Sequence, residues 1–279
     1  MIPNRKLPQL LLLILLGASG SAAGKHFDAR SWADIIEQAL AAAAPLPVIS
    51  AHDAGFDLAR AYQLQEVLVQ RALQHSAIGG FKAGFTNPAS RERFALKTPV
   101  FGVMFTSGKL TGEPTLKSEK YPILVEMEIG FQLRSPIVRR MRSVDDLRTY
   151  VRHAVPVIEL PELPYPDLGA IKGIDIVGSN MAAKSFLVGA PLALDDIDEM
   201  HVEMRFDDEV IDQGNTASVM GHPLAALLWL VNELHDRGYA PQPGQTLLTG
   251  AIGKINPGKP GNYMVRYGDA QVLRFTIEK

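Results

Sequence analysis

The chain has 279 residues, of which 47% are hydrophobic and 21% charged, and its formal net charge at pH 7 is -2. This size and composition predict one soluble globular domain, or one such domain with a small appendage. The near-neutral charge gives no reason to expect a nucleic acid or an anionic membrane as a partner, and the absence of Cys excludes a disulfide framework.

The first 23 residues have the organisation of a secretory signal peptide. Arg5 and Lys6 form a basic start, an apolar run follows over residues 10–16, and Ser21 and Ala23 are the small residues of a cleavage site. The apolar run is too short to span a bilayer as a mature helix. We therefore expect residues 1–23 to be removed and the protein to be exported, in the periplasm, without membrane contact afterwards. An uncleaved anchor is the alternative.

Residues 24–78 are expected to form a small helical N-terminal portion. Ser31 is expected to cap a first helix over residues 31–44, because a serine precedes an Ala-rich apolar pattern there. Asp57 is expected to cap a second helix, with apolar residues at helical spacing behind it, that the Gly79-Gly80 pair ends.

Short strand patterns predominate over residues 79–279. Strands are expected at residues 80–85, 100–105, 123–133, 184–188, 200–206 and 245–249, with a closing hairpin at residues 263–267 and 272–277. Helices are expected at residues 143–153 and 223–235, and a Pro/Gly-rich rim loop at residues 161–175. No G-x-G-x-x-G follows a strand, so the pattern favours an α+β fold, a rolled or sandwiched β domain, over a Rossmann fold.

The predicted strand at residues 123–133 carries the site hypothesis. Glu126 and Glu128 fall on one face, roughly 6.5–7 Å apart along the strand, and repel each other unless a cation compensates. Glu159 lies in an apolar run, where an isolated ionised carboxylate is costly. We interpret the three as oxygen ligands of a divalent cation, with a solvated strand face as the alternative.

Lys82 stands alone in an apolar segment. Near a metal its ammonium form is disfavoured, so we expect its pKa to move towards neutrality and the residue to carry a proton or anchor a carboxylate. A side chain that reaches out to solvent is the alternative. His222 precedes Pro223 and is interpreted as a helix cap rather than a general base.

Five blocks follow one another from about residue 55 to the C terminus. They are Gly80-Phe81-Lys82-Ala83-Gly84-Phe85-Thr86, Pro99-Val100-Phe101-Gly102, Glu126-Met127-Glu128 with Glu159, Met220-Gly221-His222-Pro223-Leu224, and Leu247-Leu248-Thr249-Gly250-Ala251. Together they resemble the fumarylacetoacetate hydrolase superfamily, and specifically its 2-keto-4-pentenoate hydratase branch.

The resemblance implies a mixed β-roll fold, a Mg²⁺ or Mn²⁺ ion on the three Glu residues, and small 2-oxo acid substrates of aromatic catabolism. Members of the superfamily hydrate 2-hydroxypentadienoate, decarboxylate 4-oxalocrotonate or cleave acylpyruvates, in each case through an enolate. Lys82 would be the catalytic residue, and Asn180 would bind the substrate. Thr249 and Gly250, at the end of a strand, would offer a hydroxyl and an N–H to the substrate carboxylate, with a plain turn as the alternative. Relatives are often oligomeric, which leaves a homo-oligomer open.

Three positions depart from the family pattern. Val100 stands where many hydratases carry Asp, Ser179 replaces the Asp of an Asp-Asn pair, and Lys254 lies in a region that is often less charged. The missing Asp removes a candidate acid–base group. The alternatives are therefore a decarboxylase or C–C hydrolase of the superfamily, or an exported binding protein or pseudoenzyme that kept the fold.

Overall fold

A computed structural model describes residues 27–117 and 120–279 of the protein. The predicted signal peptide at residues 1–23 lies outside the described residues. Within the described part, none of the helices combines the length and the apolar character that crossing a bilayer requires.

The helices are short and are concentrated in the first third of the chain. They are α1 (Ala29–Ala41), α2 (Ile49–His52), α3 (Leu58–Ala72), α4 (Pro88–Arg93), α5 (Val144–Arg148), α6 (Gly173–Gly178) and α7 (Pro223–Asp236). Short 3₁₀ turns lie at Thr106–Gly108, Asn180–Ala182 and Thr216–Ser218.

The strands form two sheets. In chain order they are β1 (Ile78–Gly84), β2 (Val100–Phe105), β3 (Lys109–Leu110), β4 (Thr115–Lys117), β5 (Leu124–Leu133), β6 (Val151–Leu160), β7 (Ser185–Val188), β8 (His201–Phe206), β9 (Glu209–Asn215), β10 (Thr246–Leu248), β11 (Ile252–Pro257), β12 (Gly261–Tyr267) and β13 (Gln271–Glu278). The first sheet has the order β2-β1-β10-β5-β6-β7-β3 with β11 also on β5, and the second has the order β4-β13-β12-β8-β9. The α+β prediction is confirmed.

The N-terminal helices form, but two of their predicted ends are wrong. Asp28, not Ser31, caps α1, and the Ser31 hydroxyl donates to the Asp28 carboxylate at 2.6 Å. Asp57 caps α3 as predicted. The helix ends at Ala72, and Gly80 lies inside β1, where a Cβ would stand 2.0 Å from the Thr246 carbonyl oxygen of β10. That glycine therefore permits close strand pairing rather than ending a helix.

The predicted helix at residues 143–153 is wrong beyond its first turn. Only α5 is helical there, and β6 begins at Val151. β6 contains the β-branched residues Val155, Val157 and Ile158, which favour extended backbone, and it is buried along most of its length. Glu159 therefore lies within a central strand rather than beyond a helix.

β5 is buried on both faces, whereas its alternation predicted one half-buried face. It lies between β10 and β6, so one face joins the core and the other forms the floor of a cavity. The second sheet is attached behind it, where the buried Tyr267 hydroxyl of β12 donates to the Val157 carbonyl oxygen of β6 at 2.5 Å. The predicted C-terminal hairpin, β12 and β13, is confirmed.

The helical portion is tied to the rest of the chain by a buried carboxylate. Asp175 of α6 accepts hydrogen bonds from the Ser50 backbone N–H at 2.8 Å and the Ser50 hydroxyl at 2.7 Å. This holds α2 against the segment that leads into the cavity wall. The division of the chain at residue 78 into two portions stays a prediction.

Candidate metal centre

Three buried carboxylates converge on the face of the first sheet. Glu126 of β5 is directly opposite Glu159 of β6 in the strand register, and Glu128 follows two residues along β5 on the same face. One ligand oxygen from each lies within 4.8 Å of the others. Their exposed fractions are 8%, 1% and 0%, so the solvated-face alternative does not hold. The antiparallel register of β5 and β6 therefore places Glu159 beside Glu126 and Glu128, although about thirty residues separate them in the sequence.

The carboxylates are not fully satisfied by the protein. Glu128 Oε2 accepts the Gly250 backbone N–H at 2.9 Å. Among the described residues, Glu128 Oε1 and Glu159 Oε2 are buried and accept no hydrogen bond. Each such oxygen costs about 1–3 kcal/mol. Carboxylate oxygens are the ligands that hard divalent cations prefer, so the donor set fits Mg²⁺ or Mn²⁺.

The raised pKa values of Glu126 and Glu128 also support a cation site. Burial, and then the charge of Glu159, raises the pKa of Glu126 to about 7, although Lys82 opposes the shift. Burial together with the charges of Glu159 and Glu126 holds the pKa of Glu128 well above its usual value. Without a cation the cluster therefore tends to keep protons, because adjacent buried carboxylates cannot all ionise cheaply.

Lys82 extends from β1 into this cluster. Its ammonium group forms an ion pair with Glu159 and donates to the Met181 carbonyl oxygen at 3.0 Å. Burial lowers the pKa of Lys82, but the charges of Glu159, Glu126 and Glu128 outweigh it and leave the pKa above its ordinary value. In the metal-free protein the pKa of Lys82 therefore lies above its ordinary value, and its fall towards neutrality beside a bound cation stays a prediction. The solvent-reaching alternative is wrong, since the residue is 4% exposed.

A left-handed turn at residues 180–182 fixes the Met181 carbonyl, a hydrogen-bond partner of Lys82. Asn180, Met181 and Ala182 have φ angles of 61°, 57° and 57°, which non-glycine residues rarely adopt in succession. The turn directs the Met181 carbonyl to Lys82. It is held by the Asn180 amide, which accepts the Val103 N–H at 2.9 Å and donates to the Val103 carbonyl at 2.8 Å. Both ends of the Asn180 amide are thus bound to backbone, and its predicted substrate contact stays a prediction.

Thr249 and Gly250, the other two predicted substrate contacts, form hydrogen bonds within the protein that support the site. The Thr249 hydroxyl is fully buried and donates to the Ile129 carbonyl at 2.9 Å, and its predicted substrate contact stays a prediction. The Gly250 N–H is bound to Glu128. Gly250 has φ of 108°, and a Cβ there would lie 2.4 Å from Thr86 Oγ1, which explains the glycine. His222 caps α7 as predicted, since its Nδ1 accepts the Leu224 N–H at 3.0 Å.

A cavity of about 520 Å³ opens above the carboxylates. The buried side chains of Lys82 and Glu126 form its closed end, and the predicted rim loop contributes Pro161 and Leu163. The walls are largely apolar, with Phe85, Phe94, Leu124, Ile176 and Met181 among them.

Sequence reasoning missed polar residues of the cavity, among them Thr86 and Arg93. Thr86 could have been found, because it closes the sequence block that contains Lys82. Arg93 carries no such signal. Val100, the position of the missing Asp, is fully buried in β2 and does not line the cavity, so the departure takes no group from the cavity wall.

No family model matches the chain. The chain is 31% identical over 206 residues to a 2-keto-4-pentenoate hydratase of Burkholderia vietnamiensis, an alignment that covers 72% of this chain and 78% of the relative. It is 28% identical over 216 residues to a 4-oxalocrotonate decarboxylase of Pseudomonas putida, covering 75% and 81%. The structure of 4-oxalocrotonate decarboxylase from Pseudomonas putida G7, complexed with magnesium and adipate, superposes with a TM-score of 0.83 at 24% identity, covering 90% and 97%.

Proposed function

Since the chain belongs to the fumarylacetoacetate hydrolase superfamily, in its 2-keto-4-pentenoate hydratase branch, we propose that it is a divalent-metal-dependent lyase that hydrates small 2-hydroxydienoic acids, the enol forms of 2-oxo acids. One observation carries the proposal. Three buried carboxylates, two of them with an unpaired oxygen, meet beside a buried ammonium group at the closed end of a cavity.

The protein's own groups have distinct parts in this chemistry. Glu126, Glu128 and Glu159 would hold the cation, which when bound would act as a Lewis acid on the 2-oxo group and stabilise the adjacent enolate. Lys82 holds a proton at Nζ beside this site and offers it either to a substrate carboxylate or to the carbon that gains hydrogen. Met181 and Glu159 fix the direction of Nζ. The apolar walls limit water around these charges, which strengthens their interactions.

This arrangement favours an enzyme over a pseudoenzyme or binding protein. Many hydratases carry Asp at the position of Val100, and this position lies in the core and does not line the cavity. Every carboxylate and the Lys of the predicted site face one another.

Turnover of dienols tests the proposal. We expect the ultraviolet absorbance of 2-hydroxypenta-2,4-dienoate, or of 2-hydroxyhexa-2,4-dienedioate, to disappear with Mg²⁺ and to persist with a chelator. Glu128→Gln should lower the rate by about 100-fold, because it removes a ligand of the cation that polarises the 2-oxo group. The matched control Glu199→Gln, at an exposed position, should keep the rate. Steady absorbance of both dienols under every metal condition would contradict the proposal, and the mass of the product separates water addition from CO₂ loss.

A further inference from the structure

A buried tyrosine of the second sheet contacts the two strands that carry the carboxylates from the back of the first sheet. Glu128 of β5 is opposite Val157 of β6, so both side chains lie on the face of the metal centre. Met127 and Ile158, the next pair along the ladder, point to the other face, and Tyr267 belongs to the buried cluster that contains them. The Tyr267 hydroxyl donates to the Val157 carbonyl oxygen at 2.5 Å, and the residue is 0% exposed. This contact therefore lies directly behind Glu128.

The hydroxyl interacts with backbone groups of both strands. Burial raises the pKa of Tyr267 well above its ordinary value, although the backbone N–H of Glu128 stabilises the ionised form. The phenol therefore stays protonated and remains a hydrogen-bond donor. The Val157 carbonyl oxygen has two lone pairs, so it can accept this hydroxyl in addition to a ladder hydrogen bond. One side chain thus joins β5 and β6 at the level of a predicted metal ligand.

β6 has fewer ladder hydrogen bonds next to this contact. Pro156, the residue before Val157, has no N–H to donate, which is why proline is rare in central strands such as β6. The Pro156 carbonyl accepts the Gly189 N–H at 2.9 Å, just beyond the end of β7. In an antiparallel ladder the missing N–H would face the same side, so β6 is held there by one bond fewer. The Tyr267 hydroxyl supplies a bond at the neighbouring residue.

The alignment of β5 and β6 decides the distances among the carboxylates. Glu126 and Glu128 come from β5 and Glu159 comes from β6, and one oxygen of each lies within 4.8 Å of the others. Mg²⁺ binds oxygen ligands at about 2.0–2.1 Å and requires nearly octahedral geometry. A small displacement of β6 along β5 would therefore move Glu159 away from the other two ligands and weaken the binding of the cation.

We propose that Tyr267 is a positioning residue of the metal centre, whose hydroxyl fixes β6 against β5 behind Glu128 and so sets the spacing of the three carboxylates. Loss of a residue that orients metal ligands typically weakens metal binding by about 10–100-fold. Tyr267 acts through the backbone and not on a ligand side chain, so we expect the lower end, about tenfold. This inference rests on the proposed function and adds a residue of the second sheet to it.

Mn²⁺ binding to the metal-free protein tests the role of Tyr267. We would titrate the protein with Mn²⁺ and measure the free ion by electron paramagnetic resonance. Tyr267→Phe removes the hydroxyl and keeps the ring, and its Kd for Mn²⁺ should rise about tenfold. Urea unfolding in the presence of a chelator should show that the variant is folded.

Tyr263→Phe is the matched control. Tyr263 is a buried tyrosine of the same strand, and its hydroxyl also binds backbone, donating to the Lys259 carbonyl at 3.1 Å and accepting the Lys259 N–H at 2.7 Å. It should keep the Kd of the wild type, because its contacts stay within the C-terminal segment. An equal loss of affinity in both variants would show a general effect of destabilisation and overturn the inference.

A second measurement leaves the hydroxyl in place. With 3-fluorotyrosine incorporated at position 267, Mg²⁺ should shift the fluorine resonance, because coupling between metal binding and strand alignment acts in both directions. The same label at position 263 should not respond. An unchanged Kd in Tyr267→Phe, or a resonance at position 267 that Mg²⁺ does not move, would overturn the inference and leave the proposed function standing. If the wild type bound neither Mn²⁺ nor Mg²⁺, the proposed function would fall and the inference with it.

Discussion

The stability of the metal-free protein should fall as the pH rises through the range in which the cluster loses protons. In the unfolded chain Glu126 releases its proton near its usual pKa of 4.5, but in the folded protein it keeps the proton to about pH 7. Between these values the folded state binds more protons than the unfolded state, so the free energy of unfolding decreases with pH. At about 1.4 kcal/mol for each pH unit, the loss amounts to about 3 kcal/mol.

Urea unfolding in the presence of a chelator measures this loss. The wild type should lose about 3 kcal/mol between about pH 4.5 and pH 7, and Glu128, whose pKa is also raised, adds to the same trend. Glu126→Gln should reduce the slope of the profile, because the amide does not titrate while Glu128 still does. The exposed control Glu199→Gln should follow the wild type. Parallel profiles for the wild type and Glu126→Gln would refute the reasoning.

Three further substitutions test how the site is supported. Lys82→Met should destabilise the metal-free protein by about 3–5 kcal/mol, as measured by urea unfolding, because it removes one partner of a buried ion pair; an unchanged midpoint would contradict that pairing. Asn180→Ala should lower the free energy of unfolding by about 1–3 kcal/mol, because it removes two hydrogen bonds to the backbone. A changed KM with unaltered stability would instead indicate that Asn180 contacts the substrate. Gly250→Ala should lower the melting temperature more than Gly238→Ala. Both glycines have a positive φ, but of the two only a Cβ at residue 250 would clash with Thr86. Equal losses in melting temperature would exclude that clash as the reason for the glycine.

Local signals in the sequence predicted much of the fold. The hairpin at the C terminus follows from alternating residues around Gly268-Asp269, and the cap at Asp57 from its position before a helical pattern. β9 and β11 went unpredicted because most of their residues are exposed, which leaves no apolar alternation to see. The segment before Glu159 was taken for a helix, because a short apolar run does not distinguish the two structures.

The sequence predicted which charged residues form the site but not which atoms they contact. The spacing of Glu126 and Glu128 is local, whereas the pairing with Glu159 and Lys82 depends on the register of strands far apart in the chain. Three nearby carboxylates outweigh the burial of Lys82 and raise its pKa in the metal-free protein, so its expected fall towards neutrality depends on a bound cation. The family resemblance implies a substrate contact for Asn180, but only the structure shows that its amide binds backbone.

The central claim is that Glu126, Glu128 and Glu159 bind one divalent cation. Crystals of the protein grown with Mn²⁺ and measured near the manganese absorption edge test it directly. We predict one anomalous peak with carboxylate oxygens of all three residues at about 2.0–2.6 Å, and its loss in Glu128→Gln. A peak elsewhere on the protein, or none in crystals containing Mn²⁺, would contradict the claim.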